Sequence, residues 1–101
     1  MPTAAPLLPD TFASQRFTVS PRVLCQEVAG EAVLLDLDSE KYFGLNAVGL
    51  RIWQLLQKGD DPAAILRALE REYDTDAVTL AADLQDLIQR LSKAGLVSAS
   101  S

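Results

Sequence analysis

The stretch KYFGLNAVGLRIWQLL, residues 41–56, contains the change of apolar period that decides the fold. Lys41 to Leu45 is a short β-type run, with Tyr42 and Phe43 on opposite faces. Parity alone leaves open which of the two meets the core. From Asn46 onward the spacing becomes helical: Val48, Ile52, Leu55 and Leu56 share one face, and Trp53 flanks it. Asn46 is a favourable N-cap, and Lys58-Gly59 places a cation in the last turn and a glycine beyond it. A strand therefore runs straight into a helix.

Working outward, Val23–Val28 and Ala32–Leu37 are rich in β-branched and apolar residues, with Ala29-Gly30 as the turn between them. Asp38-Ser39-Glu40 forms the next turn. Phe17-Thr18-Val19 is β-like but stops at Ser20-Pro21, which makes it a short edge segment at most. On the carboxyl side, Asp61-Pro62 restarts a helix that Ile65, Leu66 and Leu69 carry to about Tyr73. Asp74, Thr75 and Asp76 open a third helix, which runs through Leu80, Leu84, Leu87, Ile88 and Leu91 to a stop at Gly95. The expected fold is α+β: a three-stranded antiparallel meander followed by three helices, β-β-β-α-α-α, in the order of a winged helix-turn-helix. Residues 1–16 are expected to be a flexible tail, 17–97 the domain and 98–101 a frayed end.

Composition narrows the function. At 101 residues the chain has room for one core, and 49% apolar with 23% charged residues is ordinary for a soluble domain. Nine basic residues against 14 acidic ones leave a formal charge of −5, which repels phosphate and argues against nucleic acid or an anionic membrane as partner. The would-be recognition helix carries Asp76, Asp83 and Asp86 against Arg90 and Lys93, the wrong balance for DNA. A DNA-binding winged-helix regulator stays as the counter-hypothesis. Histidine is absent, which removes the commonest general base and metal ligand. The lone Cys25 cannot make an internal disulfide or a zinc site; it reads as a small buried hydrophobe in a strand, and the expected compartment is the reducing cytoplasm. Asp36, Asp38 and Glu40 read as a solvated face running into a turn, with no calcium-loop pattern after them. No targeting signal opens the chain, and no run approaches the ~20 apolar residues that cross a bilayer. Catalytic residues, metal and cofactor are expected to be none, so a binding module is favoured over an enzyme.

One combination is more specific than these parts. Val33-Leu34-Leu35-Asp36, then Tyr42-Phe43-Gly44-Leu45-Asn46, then Gly49 and Ile52-Trp53, resembles the PqqD-like family. Those proteins are recognition elements for the precursors of ribosomally made, post-translationally modified peptides. The Asp83-Leu84 pair, the Leu87-Ile88 and Leu91 spacing and Gly95-Leu96-Val97 extend the resemblance, which covers Val23 to Val97. Asp38-Ser39-Glu40-Lys41 stands where the pyrroloquinoline quinone branch has a Pro-Glu-Gly-type turn. An aromatic-rich strand near Val23 and a tryptophan near the carboxyl end are also missing. The Leu-Asp, Tyr-Phe, Leu-Asn and Ile-Trp series is closer to the standalone leader-binding proteins of lasso peptide clusters. The alternative within the family is a peptide chaperone serving a radical SAM enzyme in pyrroloquinoline quinone synthesis.

The resemblance implies a leader peptide added as a strand between the third strand and the third helix, then delivered to a leader peptidase or other maturation enzyme. Strand addition is physically sound, because an open edge offers unpaired N–H and C=O groups to an extended peptide. The residues expected to bind are Lys41, Tyr42, Phe43, Gly44 and Leu45 on the strand, with Leu80, Asp83, Leu84, Leu87, Arg90 and Leu91 on the helix. Several have a plainer reading. Leu84 and Leu91 are what any packed helix needs, and Asp83 is equally a solvated helix residue. Ile52 and Trp53 belong to the core, and Gly49 marks close helix–strand packing. The chain is expected to be a monomer or a domain-swapped dimer.

Overall fold

The computed structural model describes residues 7–100, apart from the side chain of Ser100. In chain order the elements are α1 (Asp10–Ser14), β1 (Arg16–Val19), β2 (Val23–Val28), β3 (Glu31–Asp36), β4 (Tyr42–Leu45), α2 (Ala47–Lys58), α3 (Pro62–Glu72), α4 (Ala77–Lys93) and β5 (Val97–Ser100). The architecture is α+β, with an antiparallel sheet and several helices.

Strands β2, β3 and β4 form an antiparallel meander in that order. The β2–β3 link is a two-residue turn with positive φ at both Ala29 (54°) and Gly30 (81°), the combination whose twist suits a tight hairpin. The second turn is organised by Asp36. Its carboxylate accepts from the Asp38 N–H at 3.0 Å and the Ser39 hydroxyl at 2.9 Å. These two bonds, the backbone one foremost, hold the Asp36 carboxyl below the usual range. Asp38 pairs with Arg22 at 3.1 Å. The carboxylates of this region are turn chemistry.

Register sorts the sheet into two faces. Leu34 pairs with Phe43 and Ala32 with Leu45, and these four residues meet the helices. Leu35 pairs with Tyr42 and Val33 with Gly44 on the outer face, which leaves Tyr42 72% exposed while Phe43 packs on the core. Cys25 is exposed rather than buried, because β2 projects beyond the helices. Partial desolvation and the Glu27 carboxylate push its thiol upward, so it is a poor nucleophile.

Helices α2 and α3 begin at side-chain caps, whereas Asp76 makes no capping bond at the start of α4. The Asn46 side chain accepts from the Gly49 N–H at 2.8 Å, and the Asp61 side chain accepts from the Ala64 N–H at 2.9 Å. Gly59, at φ 99°, closes α2 in the left-handed conformation. Ile52, Trp53, Leu55 and Leu56 from α2, Ile65 and Leu69 from α3, and Leu80, Leu84, Ile88 and Leu91 from α4 make the centre of the core.

Both ends depart from the expectation of a tail and a frayed terminus. Leu8 is buried and α1 follows it, while Phe12 and Phe17 pack with ring centroids 5.8 Å apart. Residues 1–6 and 101 of the expected tail and end lie outside the described residues. Ser98–Ser100 do not fray: β5 pairs with β1, from Val19↔Val97 to Arg16↔Ser100. The pairing satisfies backbone groups on both segments and carries Val97, only 3% exposed, into the core. Among the described residues no helix is long and apolar enough to cross a membrane.

Candidate functional site

The site begins with the backbone of β4. Antiparallel ladders alternate between residue pairs that exchange hydrogen bonds and pairs that do not. The Asp36 N–H donates to the Lys41 carbonyl at 3.0 Å, so bonding pairs recur at Leu34–Phe43 and Ala32–Leu45. Tyr42 and Gly44 fall in the other class. Their N–H and C=O groups point away from β3, along an edge that pairs with no further strand among the described residues. Gly44 is exposed, and among the described residues nothing lies within 4 Å of where its Cβ would stand, so a second backbone can approach closely.

Beside this edge lies a cleft of about 210 Å³. Gly44 and Leu45 form one side; Asp83, Asp86, Leu87 and Arg90 of α4 form the other; the first turns of α2, through Asn46, Val48, Gly49 and Ile52, close its end. Its exposed lining is mainly polar, with Leu45, Ile52 and Leu87 almost fully buried beneath it. The Arg90 guanidinium stands 5.3 Å from the centre of the Phe43 ring and 3.5 Å from an Asp86 carboxylate oxygen. It bridges β4 to α4, an attraction between a cation and a ring face. The Asp83 side chain has no ion pair or hydrogen bond among the described residues.

Of the residues expected on the helix, Asp83, Leu87 and Arg90 line this cleft. Leu80, Leu84 and Leu91 do not: they are 2%, 0% and 0% exposed and belong to the core, as the packing of a 3.6-period stripe demands. Leu87, at 8%, lies at the boundary. On the strand, Gly44 and Leu45 reach the cleft, and Phe43 reaches it through Arg90. Tyr42 contributes an edge backbone and an outward ring, and Lys41 is exposed at the turn.

Sequence reasoning missed Asn46, Val48, Gly49, Ile52 and Asp86 as lining residues. The signal was present. A strand that runs directly into a helix must set that helix's first turn at the strand's end, beside whatever the edge receives. Gly49 serves close packing here: a Cβ would lie 3.3 Å from both the Asn46 amide oxygen and a Leu45 methyl carbon.

Known proteins share this fold. Residues 31–97 match the family described as coenzyme PQQ synthesis protein D, PqqD. Two solved structures superimpose well. One is TbiB1 in complex with the TbiA(beta) leader peptide: 38% identity, TM-score 0.74, covering 82% of this chain and 96% of that one. The other is a lasso peptide synthetase B1 complexed with the leader peptide: 28% identity, TM-score 0.72, covering 81% and 96%. No curated protein matches. The match takes in β3, β4 and α2 through α4, all the elements that build the edge and the cleft, and the chain belongs to the PqqD family.

Proposed function

We propose that this chain binds the leader peptide of a lasso peptide precursor, by addition of a strand to β4 over the cleft walled by α4. The carrying observation is the unpaired edge at Tyr42 and Gly44 beside that cleft. Two structures of the same fold, one 38% identical, hold leader peptides. Main-chain pairing supplies affinity, and Val48 and Leu87 offer the small apolar surface left in the cleft to a leader side chain. The chain performs no chemistry in this reading. It holds the precursor in the cytoplasm and delivers it to a leader peptidase and the later maturation enzymes.

The fold is then a winged helix-turn-helix used for peptide: β2 and β3 are the wing, and α4 occupies the place of a recognition helix. Two carboxylates at the cleft rim make α4 unsuited to phosphate. Calorimetric titration of the whole chain with the TbiA(beta) leader peptide tests the reading. Saturable heat with one peptide per chain is expected, together with no shift of duplex DNA in a low-salt gel. A silent titration beside a shifted duplex would reverse the assignment.

A further inference from the structure

Four charged residues of α4 lie in one line. Asp83, Asp86, Arg90 and Lys93 follow one another at steps of three, four and three, and at ~100° per residue they share a sector about 80° wide. All four are exposed. The inner two neutralise each other, Asp86 with Arg90 at 3.5 Å, and the Phe43 ring further occupies Arg90. The outer two, Asp83 and Lys93, make no ion pair among the described residues. A bound peptide therefore meets one unmatched anion and, further along, one unmatched cation.

A second depression of about 710 Å³, lined by Phe12, Phe17, Gln89 and Lys93, adjoins the cleft along α4 and shares Asp86 and Arg90 with it. Its aromatic floor comes from α1 and β1, which precede the family match at residue 31. Ten residues of helix span about 15 Å, and an extended peptide covers that in four to five residues at ~3.3 Å each. Even spacing keeps both side chains on the face toward α4, which selects four.

We propose that α4 reads the order of charge in its peptide: a basic residue beside Asp83 and an acidic residue about four positions away beside Lys93. The inference rests on the leader-binding reading and adds which peptides the groove accepts and how it orients them. Exposed pairs contribute modestly to affinity, so the effect falls on selectivity and direction.

A displayed library of random peptides, selected at low salt on the whole chain, tests this. Selected peptides are expected to pair Lys or Arg with Asp or Glu four positions apart. Selection on Asp83→Lys should turn the first preference acidic, and selection on Lys93→Glu should turn the second basic. Reversing each charge in a selected peptide should weaken its binding to the parent about two- to five-fold, a difference that shrinks as salt rises. The same charge pattern from all three proteins would overturn the charge reading and leave strand addition standing. Peptides held equally well by Gly44→Pro would overturn strand addition at β4, and the charge reading with it.

Discussion

At Gly44 the groove depends on a backbone rather than on a side chain. Its N–H faces the free edge and takes no part in the β3–β4 ladder. Proline there removes an edge donor and sets a ring where the peptide would lie, while leaving the sheet's own bonds intact. Gly44→Pro is expected to weaken binding of the TbiA(beta) leader about tenfold or more with an unchanged far-ultraviolet spectrum. Full affinity in the folded variant would remove this edge from the site. Two leucines of α4 give a paired test. Leu84 is fully enclosed, so Leu84→Ala should lower stability by ~2–5 kcal/mol and leave the affinity of the folded fraction unchanged. Leu87 also lines the cleft, and Leu87→Ala should lose less stability and more affinity, read from a denaturant curve beside a titration. Equal stability losses with intact binding would make both residues core. At this scale the sequence was partly legible. That Tyr42 and Phe43 oppose each other follows from the pleat, but their assignment needed the pairing of Phe43 with the buried Leu34, a contact between strands that no local pattern contains.

The helices were the most legible elements, because their signals are local. Asn46 and Asp61 sit at the ends they cap, and Gly59 adopts the left-handed turn that only a residue without a Cβ takes at ease. Of the strands at the chain's ends, Phe17-Thr18-Val19 was legible as a short edge segment, whereas β5 was not, for the opposite reason. Val97-Ser98-Ala99-Ser100 has no strand composition, and its partner β1 lies at the other end of the sequence. How the elements are tied together is also tertiary. Arg51 of α2 grips Glu72 at the end of α3 with two bonds, Nε at 2.7 Å and Nη2 at 2.8 Å. The guanidinium holds the Glu72 carboxyl below the usual carboxylate range in the folded chain. A lowered folded-state pKa stabilises above the unfolded value, and the contribution disappears as pH falls through the folded one. The parent should therefore exceed Glu72→Gln in stability at neutral pH by a small margin that closes on acidification. Denaturant midpoints across the acidic range check this, and a gap that does not change with pH would show that the clamp contributes nothing electrostatic.

On the scale of the whole molecule, the amino-terminal arm is tied into the fold. Residues 31–97 hold the site, while α1 and β1 lie before the matched stretch and reach back to α3 and β5. Three prolines and the lack of a sustained apolar run among the first fifteen residues make this arm read as solvated in sequence. That reading fails at Leu8, whose side chain is buried in the core rather than facing water. Leu8 is 4% exposed, within the same cluster as Leu34 and Trp53. The arm is therefore part of the folded unit and should denature with it. Leu8→Ala is expected to lower stability by ~2–5 kcal/mol, the range for truncating a buried leucine, with an unchanged denaturant dependence. A solvated tail would give a change within ~0.5 kcal/mol, as surface substitutions do. The outcome also bears on the peptide track. Phe12 and Phe17 provide the aromatic floor near Lys93 only while the arm is docked. Destabilising the arm at Leu8 should consequently weaken the preference for an acidic peptide residue at the Lys93 end and spare the preference for a basic one at Asp83. If both preferences fell together, the arm would be supporting the whole domain rather than one end of its groove.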